Sequence, residues 1–489
     1  LENDWEVSDI KMVLNLQTGD YGMKKTQRFF FFAVFLIAVF LMSFGQNTSL
    51  KALIPDKETI RISTGFKGPI EEAFSILMED FKQAYPEIEI VLSSKGNYMD
   101  AFKAAFAKEA PEVADVYHVS EFGSPSIILK IEEHKTFIPV GKIDPSLNSM
   151  KFLGRLDIAY GSKDGLLYAF PFNPSMGIIY FNVDLFEKAK SLAPQNFKDV
   201  QLEKVTTWKD VINVAEKVTS TLNKAFPQEN YKGFGFPWTA AYTYEYFTSI
   251  AGTYIASYKN GFSDPLKARL ELHRNKKLVQ FFNKLSMLYR KGIYHYVSDV
   301  SAPTEEDFAL GKTFILMQGS GRLNDIKREM EKAGTSFKLA FGPLPYESTV
   351  VQKPFVPKIG GGAFWVTKES DGIKKFLSFL ADPVIQAKWC RLTGYMPSTL
   401  EAHDILEKEG FYKGSPHVFV AIQQVLKRSS GDFTHTRLGN YGDVRGKLFN
   451  ELFVQFLKAR NQKARTFLKE FDQKGNKLIE AFEKSNAQS

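Results

Sequence analysis

The sequence has one cysteine, Cys390, in 489 residues. A single cysteine closes no disulfide within the chain and excludes the cysteine clusters of structural metal sites. Histidine is nearly as scarce: seven residues are scattered with no H-x-x-x-H pair, so no metal site is expected. No glycine-rich segment precedes the Lys-Ser/Thr of a phosphate loop, and "IGGGAFWV" runs into a strand pattern, not the helix that a G-x-G-x-x-G fingerprint requires. "QGSGR" sets glycines directly beside Ser320, whereas a nucleophile elbow carries them two positions away on each side. No local motif marks a carboxylate pair, and Cys390 falls late in a helical pattern, "AKWCRLTGY", where a structural thiol is expected. No motif thus marks a catalytic site and no cofactor is expected, although a carboxylate pair without a local signature stays open. The net charge is +8, but the basic residues are dispersed and match no nucleic-acid motif. The excess reads as solvated surface or as a mild preference for anionic partners.

Hydrophobic residues make up 44% and charged residues 24%, which excludes disorder over most of the chain, and the length calls for two or three domains. Near the N-terminus, Lys24, Lys25 and Arg28 precede an unbroken apolar run from Phe29 to Phe44, with small Ser43 and Gly45 before a cut after Gly45. This is the plan of a secretory signal peptide over 23–45, and the run is shorter than the roughly 20 residues of a spanning helix. The alternative is a retained anchor. Residues 1–22 lack export logic and read as an upstream extension ahead of a start at Met23; 46–57 read as a polar linker. The mature product is expected in the periplasm.

Beyond the linker, "TIRIST" alternates like a strand, and Phe74, Leu77, Met78, Phe81 and Tyr85 recur at helical spacing up to Pro86. "IEIVLS", an amphipathic stretch from about Met99 to Ala107, and "ADVYHV" continue a strand–helix alternation that predicts an α/β fold with parallel strands. Farther on, Gly177 to Phe181 and "TFILMQG" read as strands, Thr207 with Asp210 reads as a capping box, and the tail from Arg445 is helical.

Four features leave two readings each. Gly360–Gly362 mark either a sharp bend or a place where bare backbone meets an anion. Ser320 opens a helix, as a plain N-cap or as part of an anion site. Arg437, in "HTRLGN", is a surface charge or a binding residue. The aromatic patch "FGFPWTAAYTYEYF", with Trp238, is core or the wall of a small-ligand cleft.

Taken in order, the motifs resemble those of the extracellular solute-binding proteins of ABC importers, in the maltose-binding-like group. "PFNPSMGIIYFNVDLFEKA" followed by "TTWKDVINVAEKV" carries the group pattern. "SKGNYMDAF", "MQGSGRLNDI", "IGGGAFWV", "LTGYMPST" and "TRLGN" resemble the branch that takes up glycerol phosphates. The resemblance, over about 57–480, implies two α/β lobes around a ligand cleft, with hinge crossings near Pro171, Phe314 and Val366. It implies one lobe from 58–171 and 315–365, and the other from 172–314 and 366–485. It further implies a non-enzymatic monomer that binds sn-glycerol 3-phosphate or a related glycerophosphodiester and delivers it to membrane permease subunits. An oligosaccharide is the alternative ligand, and an extracytoplasmic hydrolase a more distant one. By position in the motifs, Tyr98, Glu121, Ser175, Trp238, Ser320, Gly361, Tyr395 and Arg437 fall on ligand contacts. Two departures stand out. "VYHVSEFGS" leaves either His118 or Glu121 at the group's carboxylate, with Glu121 continuing the pattern better. "GSGRL" replaces a serine-rich turn and brings Arg322 nearby, which would add positive charge.

Overall fold

The computed structural model describes residues 57–486, apart from 108–109, 135, 162–163, 237–240, 297–301 and 460. The expected extension, signal peptide and Trp238 lie outside the described residues. Among the described residues, eleven strands follow in chain order: β1 (Glu58–Thr64), β2 (Ile88–Ser94), β3 (Val116–Ser120), β4 (Phe170–Pro171), β5 (Ser175–Asn182), β6 (Lys232–Gly235), β7 (Tyr294–His295), β8 (Thr313–Gly319), β9 (Leu339–Pro343), β10 (Ile359–Gly360) and β11 (Gly362–Val366).

The first sheet has the order β2-β1-β3-β11-β4. β1 runs parallel to β2, from Glu58 opposite Ile88 to Thr64 opposite Ser94, and parallel to β3. The connection from β1 to β2 is the helix Pro69–Ala84, with proline in its first turn and Phe74, Leu77, Met78 and Phe81 buried as the spacing predicts. Each fully buried phenylalanine contributes roughly 1.5–3 kcal/mol. β11 closes the sheet antiparallel to β3, with β4 beyond it.

The second sheet has the order β10-β5-β8-β6-β7, and β9 also pairs with β5. Successive residues of β5 face different cores: Ile178 and Tyr180 pack with one hydrophobic cluster, Ile179 and Phe181 with the other. Burial on both faces explains why "GIIYF" reads as a continuous apolar run and not as an alternating one. The helix Trp208–Ala225 opens with the expected capping box, in which Thr207 and Asp210 each satisfy the other's backbone N–H.

Two crossings join the sheets side by side. Phe172–Pro174 lead from β4 to β5, and Gly361 alone separates β10 from β11. Gly361 has φ +116°, and a Cβ on it would lie 2.2 Å from the Asn173 carbonyl oxygen. The glycine run is therefore where the chain bends, and the backbone that comes close is the neighbouring crossing.

The packing draws lobe boundaries other than those expected. Phe314 sits inside β8, in the second sheet, so no crossing occurs there. β9 and β10 belong to the same sheet, which takes most of 315–365 out of the first lobe. The helices Asp371–Ala381 and Pro383–Thr393 return to the first core, where Phe376 lies 5.8 Å from Phe81 and Trp389 lies 5.8 Å from Phe66. The helix Pro416–Lys427 already lies on the second sheet, where Gln424 accepts from the Leu344 N–H at 2.9 Å and donates to the Gly177 carbonyl at 3.1 Å, so the remaining passage falls between the helices Pro383–Thr393 and Pro416–Lys427. Local patterns identify strands; they do not identify the distant partner strand that assigns each to a sheet.

Candidate functional site

A cavity of about 820 Å³ lies between the two sheets, within the size range of small-ligand pockets. It sits at the carboxyl ends of strands, where open α/β sheets place their ligand crevices. Gly65 and Phe66 follow β1, Ser120 and Glu121 end β3, and Gly321 and Arg322 follow β8. The Gly360–Gly361 crossing forms its floor, together with Ser175 at the start of β5.

Tyr98 begins the helix Tyr98–Phe106, whose Asn97 cap accepts the Asp100 N–H at 2.8 Å. The Tyr98 and Tyr395 hydroxyls approach to 3.5 Å, and Asn173 Nδ2 donates to Tyr98 at 3.4 Å. Burial, and then each phenol's influence on the other, pushes Tyr98 far above the ordinary phenol range; burial likewise raises Tyr395. Both face the cleft as neutral hydroxyls.

His118 lies behind this wall. Its Nε2 pairs with Asn173 Oδ1 at 2.8 Å, and its ring packs 4.4 Å from that of Phe66. Burial lowers its pKa to about 4 against the Asn173 bond, so it is neutral at pH 7. Glu121 is the carboxylate on the cavity wall: it accepts from the Tyr242 hydroxyl at 3.2 Å, and its N–H donates to the Gly361 carbonyl at 2.9 Å.

The strongest electrostatic feature is one that the motifs did not mark. Arg445, on the cavity wall, donates twice to Glu245, from Nε at 2.9 Å and Nη2 at 2.7 Å. Lys358 Nζ reaches the same carboxylate at 2.8 Å, and the Tyr441 hydroxyl donates to it at 2.6 Å. All three charged side chains are at most 5% exposed. Burial works against the Glu245 charge, yet Arg445 and Lys358 hold its carboxyl down at about 2. The cluster thus carries two cations on one anion. The Arg445 guanidinium stacks 4.6 Å over Tyr242, which itself stacks on Tyr246 at 5.0 Å.

A family model for bacterial extracellular solute-binding proteins matches residues 77–420. The chain belongs to that family. It is 30% identical over 439 residues to the sn-glycerol-3-phosphate-binding periplasmic protein UgpB of Escherichia coli K12, covering 87% of this chain and 94% of that one. The corresponding protein of Shigella flexneri is similar to the same degree. Among solved structures, UgpB from Mycobacterium tuberculosis in complex with glycerophosphocholine superposes with a TM-score of 0.64 at 15% identity, over 86% of this chain and 98% of that one. A cyclic α-maltosyl-1,6-maltose binding protein from Arthrobacter globiformis gives 0.64 at 14% identity, over 87% and 100%. The two-lobed periplasmic binding protein fold is shared with these neighbours. The family is one of solute-binding proteins rather than enzymes, and among the described residues no helix is long and apolar enough to cross a membrane.

In this solute-binding protein, five of the sequence-derived candidates line one cavity: Tyr98, Glu121, Ser175, Gly361 and Tyr395. Ser320 is fully buried beside it, while the next residues, Gly321 and Arg322, form the wall. The helix-cap reading of Ser320 fails, because Gly319 occupies the cap position and the Ser320 hydroxyl has no protein partner. Arg322 adds no net charge, since Glu305 accepts from it at 2.9 Å and Asp325 holds its other arm.

Arg437 stands elsewhere. It lines a second groove of about 660 Å³, donates to the Ile158 carbonyl at 2.8 Å and to that of Gly161, and lies 5.0 Å over the Phe262 ring. Its backbone N–H is tied to the Asn260 carbonyl at 2.8 Å. Among the described residues, three arginines line the cleft, Arg322, Arg328 and Arg445; Arg445 lies eight positions after Arg437, in a π-helical stretch Val444–Leu448. A helix-like sequence, "DVRGKLF", gives no local sign of that bulge or of the distant Glu245 that fixes the guanidinium.

Proposed function

We propose that this protein captures a phosphorylated polyol, sn-glycerol 3-phosphate or a related glycerophosphodiester, and delivers it to the permease subunits of an ABC importer. One observation carries the reading: the same cleft presents a carboxylate, Glu121, and Arg445, the lining member of a buried Arg445–Glu245–Lys358 cluster with an excess cation. A carboxylate suits polyol hydroxyls, and a guanidinium suits phosphate oxygens. Tyr98, Tyr395 and Ser175 supply neutral hydroxyls between them, Ser320 lies just behind the wall, and the paired crossings at Asn173 and Gly361 are the hinge for closure over the ligand. The similarity to UgpB proteins supports the same ligand class. Export by the N-terminal signal and action as a monomer complete the proposal.

A second reading, an oligosaccharide ligand, is favoured by the stacked Tyr242–Tyr246 pair in the cleft and by the sugar-binding structural neighbour. Mass spectrometry of the solute released from denatured, freshly purified protein separates the two. A phosphorylated glycerol compound supports the first reading; a hexose oligomer supports the second and overturns the first.

A further inference from the structure

Ser120 closes β3 on the cavity wall and is 3% exposed. Its carbonyl accepts from the Gly123 N–H at 3.0 Å and from the Ser124 hydroxyl at 3.2 Å, and the ladder sets it opposite Gly362. Its Oγ has no protein partner within hydrogen-bond distance. Among the described residues, the other buried serine and threonine hydroxyls in that condition are those of Ser63, Ser286, Thr313 and Ser320. Of these five, Ser120 alone lines the cavity.

A buried hydroxyl without a partner is destabilising, and native proteins hold few of them. Here the group is fixed on a strand, between Glu121 and the Gly361–Gly362 crossing, so its direction does not depend on a mobile loop. A hydrogen-bonding group in the cleft recovers that cost.

We infer that Ser120 is a solute-contacting residue, whose hydroxyl meets an oxygen of the bound polyol or its phosphate at the carboxyl end of β3. The inference rests on the solute-binding reading of this cleft. It adds a recognition element from the first lobe that no sequence motif marked. A hydroxyl both donates and accepts, so Ser120 serves a phosphate oxygen as a donor or a sugar hydroxyl in either sense.

The test is calorimetric titration of wild type, Ser120→Ala and Ser120→Cys with glycerol 3-phosphate, glycerophosphocholine and maltotriose, alongside the Tm of each ligand-free protein. Ser120→Ala is expected to weaken binding of whichever probe wild type takes by about five- to tenfold, the worth of one hydrogen bond. The ligand-free Tm should hold or rise, because an unpartnered polar atom is removed. Ser120→Cys keeps the volume with a weak hydrogen-bonding group, should lose affinity in the same direction, and carries the test if the alanine variant does not fold. Unchanged affinity in a folded variant overturns the inference and leaves the function reading intact. Lost affinity with a lowered ligand-free Tm marks a scaffold role and also overturns it. A wild type that takes none of the three probes overturns the function reading and, with it, this inference.

Discussion

Replacing Glu245 by glutamine removes the single anion that holds Arg445 and Lys358 beside the cleft. The side chain is 2% exposed and receives four hydrogen bonds, two from Arg445, one from Lys358 and one from Tyr441. Two routes give the magnitude. Breaking a buried ion pair by deleting one partner costs about 3–5 kcal/mol, because the remaining charges stay buried without a counter-ion. Independently, a carboxyl held at about 2 instead of its ordinary 4.5 contributes about 3 kcal/mol above pH 4.5. The sign follows from the lowered native pKa: the contribution is fully present above pH 4.5 and is lost as pH falls toward 2. Urea unfolding at pH 7 should therefore place Glu245→Gln about 3–5 kcal/mol below wild type. At pH 3 the gap should narrow by about 2 kcal/mol, since the unfolded wild type is then protonated and the native one is not. A gap below about 1 kcal/mol at pH 7, the range of an exposed pair, or a gap independent of pH, would refute the reasoning.

Three further outcomes are expected. Arg445→Ala should cost glycerol 3-phosphate roughly 2–5 kcal/mol of binding free energy by calorimetry, and Arg437→Ala clearly less; the reverse order would return the phosphate contact to Arg437. Gly361→Ala should lower the ligand-free Tm, because φ +116° and the 2.2 Å approach to the Asn173 oxygen leave no room for a Cβ, and a Tm equal to wild type would contradict the crossing geometry. Cys390 is fully buried and burial pushes its thiol up, so a thiol reagent at pH 8 should label it only after unfolding; rapid labelling of native protein would refute that placement.

Strand and helix positions were legible where burial leaves a period in the sequence. Phe74, Leu77 and Phe81 mark one helix face, and Thr207 with Asp210 mark a helix start, because both signals are local. The lobe boundaries were not legible, because β8 and β10 declare themselves as strands without naming β5 as their partner. The site divides the same way. Tyr98, Glu121, Ser175, Gly361 and Tyr395 sit in short motifs at strand ends, helix ends and a crossing, and the fold brings them to one cavity. Arg445 depends on Glu245, two hundred residues away in sequence, and Ser120 is distinguished only by a hydroxyl that finds no partner. Neither property exists until the chain has folded. Arg437 shows the converse: a residue inside a recognisable motif lies in another groove, its guanidinium on the Ile158 and Gly161 carbonyls.

The central claim is that the cleft recognises a phosphate and a polyol together, and competition calorimetry on wild-type protein stripped of solute tests it most directly. Glycerol 3-phosphate or glycerophosphocholine should bind with a single site, and neither inorganic phosphate, glycerol nor maltotriose should displace it at tenfold excess. Binding of maltotriose, with no heat from either glycerol phosphate, would contradict the account.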